Sequence, residues 1–211
     1  MNDICSKIHQ LANKKLERYF FPYDETKIPL NGIYILFEKG EKGHGVDRIV
    51  RIGTHNGLNQ LKERLKQHFL IENKDRSIFR KNIGRCILNK NNDQYLKIWE
   101  EDLTSLKAKL ANLKLIDHEY HRLIENKVSK IIQENFSFCV IEINTKEERL
   151  EIESKLISTV SLCNECKQSK NWFGNYSPVD KIKQSGLWQV QGLYKESFRS
   201  ISEFENLISK H

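Results

Sequence analysis

Tyr34, Arg64, His68 and Glu153 are the side chains on which chemistry would rest, and each falls on a run with regular periodicity. Arg64 and His68 stand at i and i+4, share a helix face and flank the apolar Leu61 and Leu65. A guanidinium in that position suits a phosphate, because its planar fork donates two hydrogen bonds and keeps its charge. An imidazole one turn later can move a proton near neutral pH. The plainer alternative for the pair is an exposed Arg on a basic helix beside a half-buried His. Glu153 falls within the apolar arc of Leu150, Ile152, Leu156, Ile157 and Val160, whereas Glu147 and Glu151 fall outside it. A carboxylate set against a core needs compensation. A metal ion would supply it, and so would an ion pair with Arg149 one turn earlier; both readings stand. Tyr34 belongs to Gly32-Ile33-Tyr34, a tripeptide that says little alone, since strand tyrosines are commonly core. The stretch Asn171-Trp-Phe-Gly-Asn-Tyr-Ser-Pro178 offers two amides in a loop and reads equally as a Trp-anchored turn.

The elements that must position these groups follow from periodicity and punctuation. Apolar Ile8, Leu11, Ala12 and Leu16 predict an amphipathic helix over 4–20. Gly32–Phe37 and Val46–Ile52 are β-rich, and the EKGEKGHG between them predicts a hairpin connection. A helix is expected from Leu58 to Leu70 and a second from Ser77 to Leu88, weakened by Gly84. From Asn92 to Gln133 the chain favours helix, with a break at Leu113 to Asp117. Phe136–Ile143 reads as a third strand, and Thr145 with Glu148 predicts a capped helix to about Val160. Pro178 opens a short helix, Leu187–Val190 is a brief extended piece, and Phe198–Ser209 closes as a helix. The expectation is one α+β domain over 1–211, with a small, mainly antiparallel three-stranded sheet flanked by helices. A helical insertion would occupy about 90–133.

Composition narrows the function classes. With 38% hydrophobic and 30% charged residues, the 211-residue chain suits a soluble globular protein. No run of 18 apolar residues would span a membrane, and the first 20 residues lack a signal-peptide core, so a cytoplasmic location is expected. The net charge is +7. Between Arg48 and Lys90 eleven Lys/Arg face three Asp/Glu, a net of +8 that leaves −1 for the rest. Such a block is either a footprint on nucleic acid or a solvated basic face. The first reading makes Lys62, Lys66, Arg76, Arg80 and Lys81 phosphate contacts; His55 is either another or a residue capping the hairpin. The five cysteines are odd and scattered, which argues against a disulfide framework. Cys163 and Cys166 form the one CxxC, whose nearest complement is the HxxH of His118 and His121. Without a better second pair, the two read as incidental thiols rather than zinc ligands.

Taken in order, GIY on a strand, Arg51-Ile52-Gly53 on its partner, Arg64 on the next helix and Glu153 on a helix after a third strand resemble the GIY-YIG nuclease superfamily. The resemblance covers about 32–72 and 136–176, the implied nuclease core. The restriction-endonuclease branch is nearest in kind, because a His one turn after the Arg recurs there, as His68 follows Arg64. Arg51 stands where the family usually has Tyr, although some restriction members carry Lys. The resemblance implies a metal-dependent endonuclease acting on DNA, with Glu153 holding one Mg²⁺ or Mn²⁺. Tyr34 would orient or deprotonate the attacking water, helped by His68 or nearby positive charge, and Arg64 would stabilise charge on the phosphate. Arg51 would add a cation, and Asn171 would be the family's late Asn, with Asn175 the alternative. An inactive binding module and an RNA-directed nuclease are the other readings. A restriction role would go with a DNA methyltransferase encoded nearby, and a palindromic target would call for a homodimer or two binding events.

Overall fold

The two β-rich runs fold into one hairpin, β2 (Gly32–Gly43) and β3 (Val46–Gly53), in a computed structural model that describes residues 2–104, 107, 108, 110 and 115–209. The connection is shorter than the glycine pattern suggests. β2 continues through EKGEKG with register shifts after Leu36 and Phe37, and only His44 and Gly45 turn the chain. Both have positive φ, 53° and 78°, the geometry of a two-residue turn whose twist matches the strands.

The sheet has four antiparallel strands in the order β1-β4-β2-β3, not three. β4 (Phe136–Glu142) pairs with the free edge of β2, and β1 (Tyr19–Phe20) pairs with β4. Two residues carry no readable alternation, which is why β1 was hidden inside the expected first helix. That helix, α1 (Asn2–Lys14), ends before the strand begins.

Each face of the sheet carries its own apolar layer. Tyr34, Leu36 and Val50 pack against Leu61, Leu65 and Phe69 of α2 (Leu61–Phe69), Phe79 and Ile83 of α3 (Ile78–Lys90), and Val128 and Ile132 of α5 (His118–Asn135). Ile33, Ile35, Ile49 and Ile52 face Cys5, Ile8 and Ala12 of α1 and Leu156, Ile157 and Val160 of α6 (Lys146–Leu162). A nine-residue helix such as α2 is marginal alone. Burying each large apolar side chain contributes about 1.5–3 kcal/mol, so its three buried anchors hold it.

Several local expectations are corrected. Gly84 does not weaken α3 idly: a Cβ there would lie 2.3 Å from the indole of Trp99, on α4 (Leu96–Glu100), so the glycine makes room for that ring. Thr145 precedes α6 but turns its hydroxyl to the Glu148 carboxylate at 3.5 Å rather than to a backbone N–H. Leu150, read as part of the α6 core arc, is exposed. Leu113 and part of the expected helical insertion lie outside the described residues. Beyond a single 3-10 turn, α7 (Asp180–Ser185) and α8 (Ile201–Ile208) complete the chain. Among the described residues no helix is long and apolar enough to cross a membrane.

Candidate active site

Residues directly opposite on antiparallel strands share a face, and here Tyr34 lies opposite Gly53 and Leu36 opposite Arg51. The phenol of Tyr34 crosses over Gly53, where a Cβ would sit 2.2 Å from the hydroxyl oxygen. The glycine at the end of β3 is therefore the seat of the tyrosine on β2. Gly32 has a comparable reason: a Cβ would come within 2.3 Å of the Ile141 carbonyl on β4.

The tyrosine and the histidine, read separately in the sequence, meet. Tyr34 Oη lies 2.7 Å from His68 Nε2, and His68 Nδ1 lies 2.7 Å from the hydroxyl of Ser77, the residue that caps α3 by accepting from the Arg80 N–H. His68 is fully buried. Burial first, and then the charges of Arg64, Arg51 and Arg80, hold its pKa well below the usual imidazole range. A neutral His68 with its proton on Nδ1 donates to Ser77 and leaves Nε2 to accept the Tyr34 O–H. That tautomer turns the phenolic proton inward and the oxygen lone pairs outward.

Tyr34, Arg51, Arg64 and Glu153 line one cleft of about 470 Å³, shared with Thr54, Gln189, Gln191 and Lys195. Glu153 Oε1 accepts from the Thr54 N–H at 3.1 Å, just past the end of β3. Burial raises the Glu153 pKa, against the opposing pull of Arg51, the Thr54 N–H and Arg64. Arg149 is not its partner. That guanidinium donates to the carbonyls of Ile143, Asn144 and Gly57, so it ties the start of α6 to two loops. Among the described residues Glu153 has no ion pair and its Oε2 no hydrogen-bond partner. Arg51 donates from Nη1 to the Trp188 carbonyl, lies over Phe79 at 5.5 Å, and leaves a buried Nε unpartnered. It pairs with neither Asp47, which meets Lys42 and Arg18, nor Glu38, which meets two tryptophans. Arg64 bonds Gln67 and the Arg76 carbonyl, both through Nη1, at the edge of the cleft.

The sequence profile of the GIY-YIG domain matches residues 2–211. The chain belongs to the GIY-YIG family. Members of this family are endonucleases that generally use divalent metals. Comparisons with curated proteins and with solved structures each found no match.

Other residues singled out in the sequence lie elsewhere in this GIY-YIG chain. Asn171 is exposed and outside the cleft, while Asn175 donates to the carbonyls of Ser169 and Lys170. Their loop is a Trp-anchored turn: Gly174 leaves room for the Trp172 ring, whose indole N–H donates to Glu38. The amides that line the cleft are Asn56, Gln189 and Gln191, and Gln189 accepts from the Ile52 N–H at 2.9 Å. Its only sequence signal was a polar residue within the short extended piece after Leu187. His55 uses both ring nitrogens internally, accepting from the Gly32 N–H and donating to the Gly57 carbonyl, which favours the capping alternative.

The basic block is largely neutralised from within. Arg80 is fully buried, holding Glu125 through Nε and Nη2 and donating to the His68 carbonyl and the Ser129 hydroxyl, so it cannot be a surface phosphate contact. Arg48 is buried on Glu41, Lys74 on Asp75, and Arg85 reaches Glu100. Lys81 donates to the Glu100 carbonyl, and Lys66 pairs with Glu25 at 2.8 Å. Arg76 is exposed and Lys62 half-buried on the α2 side.

Proposed function

We propose that the chain is a divalent-metal-dependent endonuclease that hydrolyses DNA phosphodiester bonds in the cleft between Tyr34 and Glu153. The observation that carries this reading is the convergence in one cleft of a tyrosine fixed by a buried histidine, a carboxylate with an uncommitted oxygen, and two guanidiniums with donors to spare. A hard cation such as Mg²⁺ or Mn²⁺ fits Glu153, because it takes oxygen ligands and needs only one or two carboxylates. When bound, such an ion supplies Lewis-acid stabilisation to the phosphate and the leaving oxygen.

The residues of the chain supply the rest. His68 holds the Tyr34 hydroxyl proton inward, so the phenolic oxygen accepts a hydrogen bond from the attacking water and aims it. A neutral, buried imidazole is a poor home for a proton, so Tyr34 acts by orienting the water, whose proton leaves to solvent through the open cleft. Arg51 and Arg64 face developing negative charge with fixed donors that need no reorganisation. The cation at position 51 takes the place of the family's second tyrosine and shifts that position from water handling to phosphate handling. Arg76 and Lys62 are the candidates left for backbone contacts outside the cleft. His68 one turn after Arg64 supports a restriction-like role.

Supercoiled plasmid incubated with Mg²⁺ or Mn²⁺ tests the proposal. Nicked or linear product is expected from the wild type, and a loss of at least about 10³-fold from Glu153→Gln, with folding and DNA retention intact. Cutting by the variant at the wild-type rate would remove Glu153 from the site. Wild-type binding without cutting would make the chain a binding module, and cleavage confined to RNA substrates would reassign the substrate.

A further inference from the structure

Cys5, His44 and the Cys163–Cys166 pair come from three separate places in the sequence, yet their ligand atoms all lie within 4.8 Å of one another. Cys5 is on α1, His44 in the β2–β3 turn, Cys163 at the C-terminal end of α6, and Cys166 three residues on. Cys5 Sγ lies 3.6 Å from Cys166 Sγ, and Cys163 Sγ lies 3.4 Å from His44 Nε2. In a tetrahedral zinc centre, with Zn–S of about 2.3 Å and Zn–N of about 2.05 Å, neighbouring ligands stand about 3.6–3.8 Å apart. Both pairs lie close to that spacing, and the widest would have to close by at most about 1 Å. A disulfide would need the sulfurs at about 2.05 Å, and all five cysteines are free.

The surroundings are built toward the same point. His44 is a non-glycine residue at positive φ in a turn that Asn or Gly would usually occupy, and the turn aims its ring at the sulfurs. Its other nitrogen, Nδ1, faces Glu165 Oε2 at 3.8 Å, the outer carboxylate that commonly orients a metal-bound imidazole. His9 packs edge-on to His44 at 5.1 Å but has both nitrogens engaged, with the Cys5 carbonyl and the Ile49 N–H. It supports the ring and is not a ligand. Gly43 lets the cysteine knuckle approach, since a Cβ there would lie 2.9 Å from Cys166 Cβ.

We propose that these four residues form a structural Cys₃His zinc site, separate from the cleft that holds Glu153. Three sulfurs and one imidazole gathered in a largely buried cluster select zinc over Mg²⁺ or Mn²⁺. Binding releases the thiol protons to solvent as three Zn–S bonds and one Zn–N bond form, with no change of oxidation state. With four protein ligands, no position is left for water, so the site is structural. It clamps α1 and the hairpin turn to the end of α6, the helix that carries Glu153.

Metal analysis of the full chain, purified without a polyhistidine tag, tests this directly. About one zinc per chain is expected, retained in Glu153→Gln and Cys86→Ser and reduced at least about tenfold in Cys163→Ser. Cobalt substitution of the wild type should give a thiolate-to-metal charge-transfer band and the intense visible bands of a tetrahedral, sulfur-rich site. Zinc removal should lower Tm by about 10 °C or more, and added Mg²⁺ should not restore it. Should Cys163→Ser fail to fold, the wild-type cobalt spectrum decides. A metal-free chain without that spectrum, a mass showing a Cys5–Cys166 disulfide, or full zinc content in Cys163→Ser would overturn the proposal.

Discussion

Two buried arginines on the same side of the sheet, Arg80 and Arg51, have opposite fates. Arg80 meets a carboxylate, two carbonyls and a hydroxyl, and its charge is matched by Glu125 inside the protein. Arg51 has one carbonyl, an aromatic face and an unpartnered Nε, and it acts on Glu153, which lines the same cleft, without an ion pair. A guanidinium removed from water without a matched partner is costly to the fold. The unmatched cation, not the densest basic stretch, marks where an anion belongs.

Replacing each arginine by methionine should separate the two roles. Arg80→Met leaves Glu125 charged and buried without its partner, so a loss of about 3–5 kcal/mol in chemical denaturation is expected. A loss under about 1 kcal/mol would mean that Glu125 protonates at little cost; burial already raises its pKa. Arg51→Met should instead keep stability within about 1 kcal/mol of wild type and lower the single-turnover cleavage rate by about 10²-fold, or about 2.7 kcal/mol. Arg51→Lys should retain part of that rate. Equal rates for wild type and Arg51→Met would return Arg51 to the scaffold and erase the contrast.

Tyr34→Phe sharpens the same comparison from across the hairpin. It removes one hydroxyl, leaves the seat over Gly53 filled, and should lower the cleavage rate by about 10²-fold while Tm barely moves. Unchanged cleavage would make the Tyr34–His68 bond purely architectural.

The smallest effect is a slope rather than a loss, and it concerns the support behind Arg51. Glu38 accepts from the indole N–H groups of Trp172 and Trp188 at 2.7 Å each, and the Trp188 carbonyl is the one that Arg51 engages. Burial pushes the Glu38 carboxyl up to about 7, despite the two indole bonds. A folded pKa above the unfolded one means that the folded state holds the proton more tightly. This group's stabilisation is therefore full below about pH 4.5 and lost as pH rises to about 7. Denaturant titrations at pH 5 and pH 8, followed by tryptophan fluorescence, should show that fall in the wild type and a smaller one in Glu38→Gln. Identical slopes would assign the pH dependence to another group.

What could be read from sequence was what depends on local spacing. The hairpin, α2 and the placement of Tyr34, Arg64, His68 and Glu153 on their elements all follow from periods of two and of about 3.6. Partnerships across distance were not legible. Nothing in the block from Arg48 to Lys90 tells Arg80, which reaches Glu125 on α5, from Arg51, which reaches no carboxylate within its element. The CxxC looked incomplete because Cys5 and His44 come from the first helix and a turn, while the expected complement, His121, packs against Trp99 instead. The late amide was expected in a loop rich in polar residues, whereas the amides that line the cleft, Asn56, Gln189 and Gln191, belong to other segments.

The contact between Gly53 and the Tyr34 phenol also bears on how such a chain can drift over generations. Position 51 can sample other long side chains, because its neighbours are a carbonyl, an aromatic face and open cleft. Position 53 has no intermediate step: every other amino acid, even alanine, brings the one atom that the tyrosine's oxygen already occupies. Variation in this motif is therefore expected to collect at its first residue and to stop at its last.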